Sequence, residues 1–193
     1  MTARWVVDEV KPARDLNITW QPISLLLKNQ PEKGSPYYEA AAFTHNLMRV
    51  MESVRQAEDN DAVFSLYWEY GRRIHHDKNR EFTAAEALKA VGLDVSHTAA
   101  FDDEEWDKEI RTRMDAGLDL CGDDVGTPII AFDNRSGVKQ GYFGPVITRV
   151  PSTEDSVALW DSLQTMMNID GFWELKRTRT QPPEFGDRPS RGA

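Results

Sequence analysis

Cys121 is the only thiol in the chain, and five residues later Gly126-Thr127-Pro128 leads into the apolar run Ile129-Ile130. A thiolate is a nucleophile, a redox group and a metal ligand, but only where its surroundings favour the ionised form. Cys121 stands just before Gly122, at the expected C-terminal end of a helix. The helix dipole there raises a thiol pKa, so the position reads as a structural free cysteine and not as a nucleophile. Thr127-Pro128 allows two readings. A trans proline can start an edge strand. A cis bond, the minority state, is generally kept for its geometry. A single cysteine excludes an internal disulfide and a multi-cysteine zinc site, and it fits a reducing, cytoplasmic setting.

Other residue groups suggest chemistry more weakly. The acidic run Asp102-Asp-Glu-Glu105 with Asp107 lacks EF-hand spacing and reads as a solvated helix start, so no metal is expected. Lys176-Arg177 with Arg179 could touch a phosphate or an acidic thiol cofactor, or the acidic face of its own domain. Gly122 to Gly126 does not open a helix after a strand, so no nucleotide fingerprint is present. A net charge of −9 argues against non-specific nucleic-acid binding. Met1 to Val10 carries charges too early for a signal-peptide core, and no apolar run reaches membrane-spanning length.

The elements that must position these groups follow from periodicity. The 193 residues fit one domain with an inserted subdomain. Trp5, Val6, Glu9 and Val10 continue a helix that frays near Pro12. Asn17 to Ile23 alternates like a strand, and Asn29 to Pro36 is a breaker-rich loop. Phe43, Leu47, Met51 and Val54 line one helix, and Val63, Tyr67, Tyr70 and Ile74 line another. Thr83-Ala-Ala-Glu86 has the form of a capping box for a short helix stopping near Gly92. Trp106, Ile110, Met114 and Leu118 line a further helix. Pro128 to Phe132 and Val138 to Phe143 read as two strands around Asp133 to Gly137. Ser152 to Asp155 opens a helix carrying Val157, Trp160, Leu163 and Met167. A last short helix, Phe172 to Lys176, precedes an extended tail.

With one strand placed in front, this order becomes an α/β, thioredoxin-like fold with an all-helical insertion, its first strand missing from this chain. Residues 1–34 and 122–176 then form an N-terminally incomplete core. Residues 35–121 form the helical insertion, and 177–193 the C-terminal tail.

Gly122-Asp-Asp-Val-Gly-Thr-Pro128, Gly141-Tyr-Phe-Gly-Pro-Val146, Leu159-Trp-Asp161 and Glu174-Leu-Lys-Arg-Thr-Arg-Thr-Gln-Pro-Pro-Glu-Phe185 resemble the C-terminal half of mycothiol-dependent nitroreductases. These are cytosolic, DsbA-like thioredoxin-fold oxidoreductases. Thr2-Ala-Arg-Trp5, Ser24-Leu25, Asn29 and Gly71-Arg-Arg-Ile-His75 match as well. Members carry a first strand, an aspartate-proline segment and a Cys-Pro-x-Cys motif, or a one-cysteine version of it, ahead of the helix that here starts at Thr2. The resemblance therefore implies that the family's nucleophilic cysteine is absent from this chain, which leaves its status as an enzyme open. An N-terminally truncated sequence is the favoured explanation over a genuine loss.

The resemblance further implies a cis-proline loop at Gly126, Thr127 and Pro128, and a pocket between core and insertion with Asn29, Tyr38 and His75 as its polar groups. It implies mycothiol or a similar low-molecular-weight thiol as cosubstrate, with no tightly bound cofactor. The second substrate would be a disulfide or a nitroaromatic. A mycoredoxin-like reductase and a homodimer are further expected partners, nucleic acid and membrane are not. Two alternatives stay open: an enzyme like kappa-class glutathione transferases or 2-hydroxychromene-2-carboxylate isomerases, and a non-catalytic thioredoxin-like binding module.

Overall fold

The computed structural model describes residues 1–190; the last three residues of the expected tail lie outside them. The chain is mixed α/β and mostly helical, and the described residues form one two-stranded sheet. It divides into two compact units. The first holds Met1–Ile18 and Gly117–Gly186, the second Thr19–Ala116 and the chain from Asp187 onward.

In the first unit, α1 (Thr2–Arg4) passes directly into the π-helical turns Trp5–Val10. The wider turn shows in the Lys11 amide donating to the Val6 carbonyl, five residues back, at 2.8 Å. Trp5, Val6 and Val10 are buried with Trp160. The Trp5 indole N–H donates to the Ser156 carbonyl at 3.2 Å, so the ring's polar end is satisfied inside the core.

Strands β1 (Ile129–Asp133) and β2 (Lys139–Phe143) pair antiparallel, from Ile129 opposite Phe143 to Asp133 opposite Lys139. Asn134 sets the turn: its side-chain oxygen accepts from the amides of Ser136 and Val138 at 2.9 and 3.0 Å. A helix, here α7 (Thr153–Met166), follows and is capped by Ser152, whose hydroxyl accepts from the Asp155 amide. Its Trp160 stands 5.9 Å from Trp5 and 6.0 Å from Phe132, centroid to centroid, joining helix and hairpin.

The second unit is helical. Its elements are α2 (Leu25–Asn29), α3 (Pro36–Ala57), α4 (Asn60–Gly71), α5 (Ala84–Val91) and α6 (Asp107–Leu118), whose last two residues belong to the first unit. π-helical turns Arg72–His76 extend α4, and two 3-10 segments, Val95–Asp102 and Glu104–Trp106, precede α6. Ser35 caps α3 just before its N1 proline, and Asp59 caps α4. Thr83 and Glu86 form the full reciprocal capping box of α5, and Gly92 ends it in the left-handed region at φ 79°. Leu47, Val50, Val54, Val63, Leu66 and Leu88 meet in the core.

Two expected elements are absent. Asn17 to Ile23 forms no strand. A strand needs a ladder partner, and Trp20 instead gives its amide to the Asn60 side chain and its carbonyl to Arg55, at 3.1 and 2.7 Å. Phe172 to Lys176 forms no helix. Trp173 and Leu175 are 85% and 80% exposed, so little burial offsets the cost of nucleating one turn.

Candidate functional site

The hairpin is entered through the segment after α6. The Gly122 amide donates to the Leu118 carbonyl at 2.7 Å, and Gly122 takes φ 89°, which turns the chain back at once. Cys121 therefore lies at the helix C-terminus, half-buried. Burial pushes its thiol above the ordinary cysteine range. It is protonated at neutral pH and a poor nucleophile. The turn packs closely on β2: a Cβ on Gly141 would stand 3.0 Å from the Leu120 Cβ. Glycine at 141 is thus a requirement of backbone approach.

Gly126, Thr127 and Pro128 follow. The Thr127–Pro128 bond is cis, and so is Gly144–Pro145 at the exit of the hairpin. The two are linked directly, because the Gly144 amide donates to the Pro128 carbonyl at 2.8 Å. Gly144 has φ 109°, a conformation open to glycine. The Thr2 hydroxyl donates to the Pro145 carbonyl at 2.8 Å, tying the first helix to this end of the sheet. The ladder begins at Ile129, so the main chain of Thr127 is not drawn into it.

Asn29, Tyr38 and His75 lie in the second unit. Asn29 ends α2, and its side-chain amide donates to the Tyr37 hydroxyl at 2.6 Å. The structure thus joins Asn29 to Tyr37, a residue that sequence reasoning missed. No local pattern signals that pair, whose members stand 8 positions apart across the α2–α3 loop. Tyr38 is half-buried in the first turn of α3, its amide bonded to the Ser35 hydroxyl at 3.1 Å. His75 sits on the π-helical turns after α4, with an exposed surface. Desolvation still lowers its pKa, and the charges of His76 and Arg80 act in the same direction. The ring is largely neutral at neutral pH and able to act as a proton donor or acceptor.

A polar cluster missed in the sequence lies inside the second unit. His45 is buried on α3, with Nδ1 2.9 Å from the Ser24 hydroxyl and Nε2 2.9 Å from Asp107 Oδ1. Arg49, one turn on, grips both oxygens of Asp107 at 2.6 and 2.9 Å. A carboxylate accepts, so Nε2 carries the proton and Nδ1 receives the Ser24 hydroxyl. The order Ser–His–Asp resembles a hydrolytic triad, but Ser24 is fully buried and its oxygen also caps α2 by accepting from Leu27 at 3.2 Å. No substrate reaches it, and the cluster is a structural brace. The acidic run is absorbed similarly: Asp103 accepts from the Glu105 amide at 3.0 Å, and Asp107 belongs to the brace.

The fold and the Thr127–Pro128 loop define a helix-rich α/β protein with a cis X-Pro bond at the entry to its two-stranded sheet. A family model for Rv2466c-like proteins, described as mycothiol-dependent nitroreductase Rv2466c, matches residues 1–177. The chain belongs to this family. Among the described residues, no helix is long and apolar enough to cross a membrane.

Proposed function

We propose that this chain serves as a DsbA-family thiol-disulfide oxidoreductase of the cytoplasm, built on a thioredoxin-like fold with an all-helical insertion. Its cosubstrate is mycothiol, and its second substrate is a disulfide or a nitroaromatic compound. The observation that carries the reading is the family match over residues 1–177. For a disulfide substrate, one thiolate attacks a sulfur and forms a mixed disulfide; a second thiol releases oxidised thiol and leaves the substrate with two added electrons.

In this reading Gly126, Thr127 and Pro128 align the substrate. Support comes from the position of Thr127 outside the hairpin ladder, where no strand pairing takes up its main chain. Asn29, Tyr38 and His75 supply polar contacts to the thiol or substrate. His75 suits proton transfer because desolvation keeps it largely neutral. Cys121 takes no part. A mycoredoxin-like reductase would recycle the oxidised thiol.

The test is calorimetric titration with mycothiol. Binding that falls about tenfold or more in both Asn29→Ala and His75→Ala, with folding retained, supports the reading. Absence of mycothiol binding by the unaltered chain overturns it. A second reading, a thiol-binding module without redox turnover, is favoured by one observation: the only thiol present is held protonated by burial. Mycothiol binding without any electron transfer would select that reading.

A further inference from the structure

The chain after α7 does not trail away from the first unit. The Tyr142 hydroxyl donates to the Phe172 carbonyl at 2.8 Å. Further on, the Glu184 amide donates to the Thr148 carbonyl at 2.7 Å, and Arg4 donates to the Phe185 carbonyl at 2.6 Å. The segment is pinned at one end to β2 and at the other to Thr148 and the first helix. Between residues 146–152 and 176–181 it leaves an open groove of about 1140 Å³.

The charge of this groove opposes that of the protein. Its walls carry Arg149 from one side and Lys176, Arg177 and Arg179 from the other. Among the described residues, none of these four side chains makes an ion pair or a side-chain hydrogen bond. One lining carboxylate, Asp155, already accepts from the Ser152 hydroxyl at 3.0 Å. The lining is thus net basic in a chain of net charge −9. Unpaired cations collected on such a protein create a local field that attracts anions and is sensitive to salt.

Size and apolar content specify the anion further. The groove exceeds the usual volume of small-molecule sites, roughly 300–1,000 Å³, and far exceeds a phosphate. Phe143 and Val146 line it and are 42% and 48% exposed. Trp173 and Leu175, immediately before the basic residues, are more exposed still. Exposed aromatic and aliphatic side chains beside cations fit a peptide with carboxylates and apolar anchors, and have no use for a bare inorganic anion.

We propose that the groove between residues 146–152 and 176–181 binds an acidic, extended segment of a partner protein. The four cations pair with its carboxylates, and Phe143 and Val146 take its apolar side chains. This surface lies outside the thiol chemistry proposed above and does not depend on it.

Fluorescence anisotropy with a short labelled peptide alternating Glu or Asp with Leu or Phe tests the proposal. A peptide with Gln and Asn in place of the acids is the control. The expected result is binding of the acidic peptide alone, weakened about tenfold or more by raised salt and by the combined variant R149E, K176E, R177E and R179E. All four positions are exposed, so the variant should keep its circular dichroism and urea midpoint. If it does not fold, Lys176→Gln with Arg177→Gln is read in its place, with a smaller loss expected. Equal binding of the neutral peptide, or unchanged binding by the variant, overturns the proposal. Displacement of the peptide by equimolar pyrophosphate assigns the groove to small anions and also overturns it. Self-association of the wild type that the charge reversal abolishes would put a second copy in the groove, and it overturns the proposal as well.

Discussion

His45 Nε2 lies 2.9 Å from Asp107 Oδ1, and this contact joins two helices through residues 62 positions apart in the chain. Arg49 closes on the same carboxylate from one turn along α3. Burial alone would raise the Asp107 pKa, but the Arg49 hydrogen bonds and the neighbouring His45 and Arg49 outweigh it and hold the carboxyl below its usual range. Asp107→Ala leaves a buried imidazole N–H and a guanidinium without their acceptor. Because Asp107 is partly exposed, the expected cost is about 2–3 kcal/mol, at the lower end for broken buried pairs. Urea unfolding with an unchanged m-value measures it. A loss below about 1 kcal/mol would show that water replaces the brace.

Burial lowers the His45 pKa, against the opposing pull of Asp107. The folded state therefore binds the proton less readily than the unfolded chain. Stability is fully present above the unfolded value of 6.5 and is lost as pH falls from there toward the lower folded pKa. The urea midpoint should drop as pH falls below the unfolded value of 6.5, and His45→Gln should flatten that slope at a cost in overall stability. An unchanged slope in the variant would move the effect to another histidine.

Cys121 should alkylate slowly with iodoacetamide at neutral pH and faster as pH rises above the ordinary thiol range, since burial pushes its pKa up. Cys121→Ser should leave turnover intact. Rapid alkylation at neutral pH would mean that the thiol is ionised and would reopen its catalytic role.

Gly141→Ala places a Cβ 3.0 Å from Leu120 Cβ, so β2 or the turn before the hairpin must shift. The expected cost is about 1–3 kcal/mol, as for overpacking in a close-packed interior. Gly126→Ala is the control, because its Cβ would meet Phe143 at an ordinary 3.8 Å. Equal effects at both positions would point to backbone entropy and not to packing.

What is legible in the sequence is local. Thr83 and Glu86 are three residues apart and make their own capping box, and Gly92 ends that helix by its own conformational freedom. The hairpin follows from alternation around Asn134 to Gly137. Long-range partners are not legible. His45 and Arg49 share a helix face at i, i+4, a hint of a joint acceptor, but nothing in the spacing names Asp107. Among its acidic neighbours Asp107 looks solvated, because its burial is decided by the helix opposite. Asn17 to Ile23 fails for the same reason: alternation gives a strand only where a ladder partner exists. The proposed site rests on the motifs around Thr127-Pro128 and His75. Asn29 finds Tyr37 across a loop whose path no motif encodes.

The most direct test is a turnover assay: purified chain, mycothiol, and a nitroaromatic or small disulfide substrate, with thiol consumption and substrate reduction followed together. The expected result is reduction that requires both protein and mycothiol, persists in Cys121→Ser and falls in His75→Ala. Mycothiol-independent reduction, or none while mycothiol is bound, would contradict the proposed oxidoreductase function.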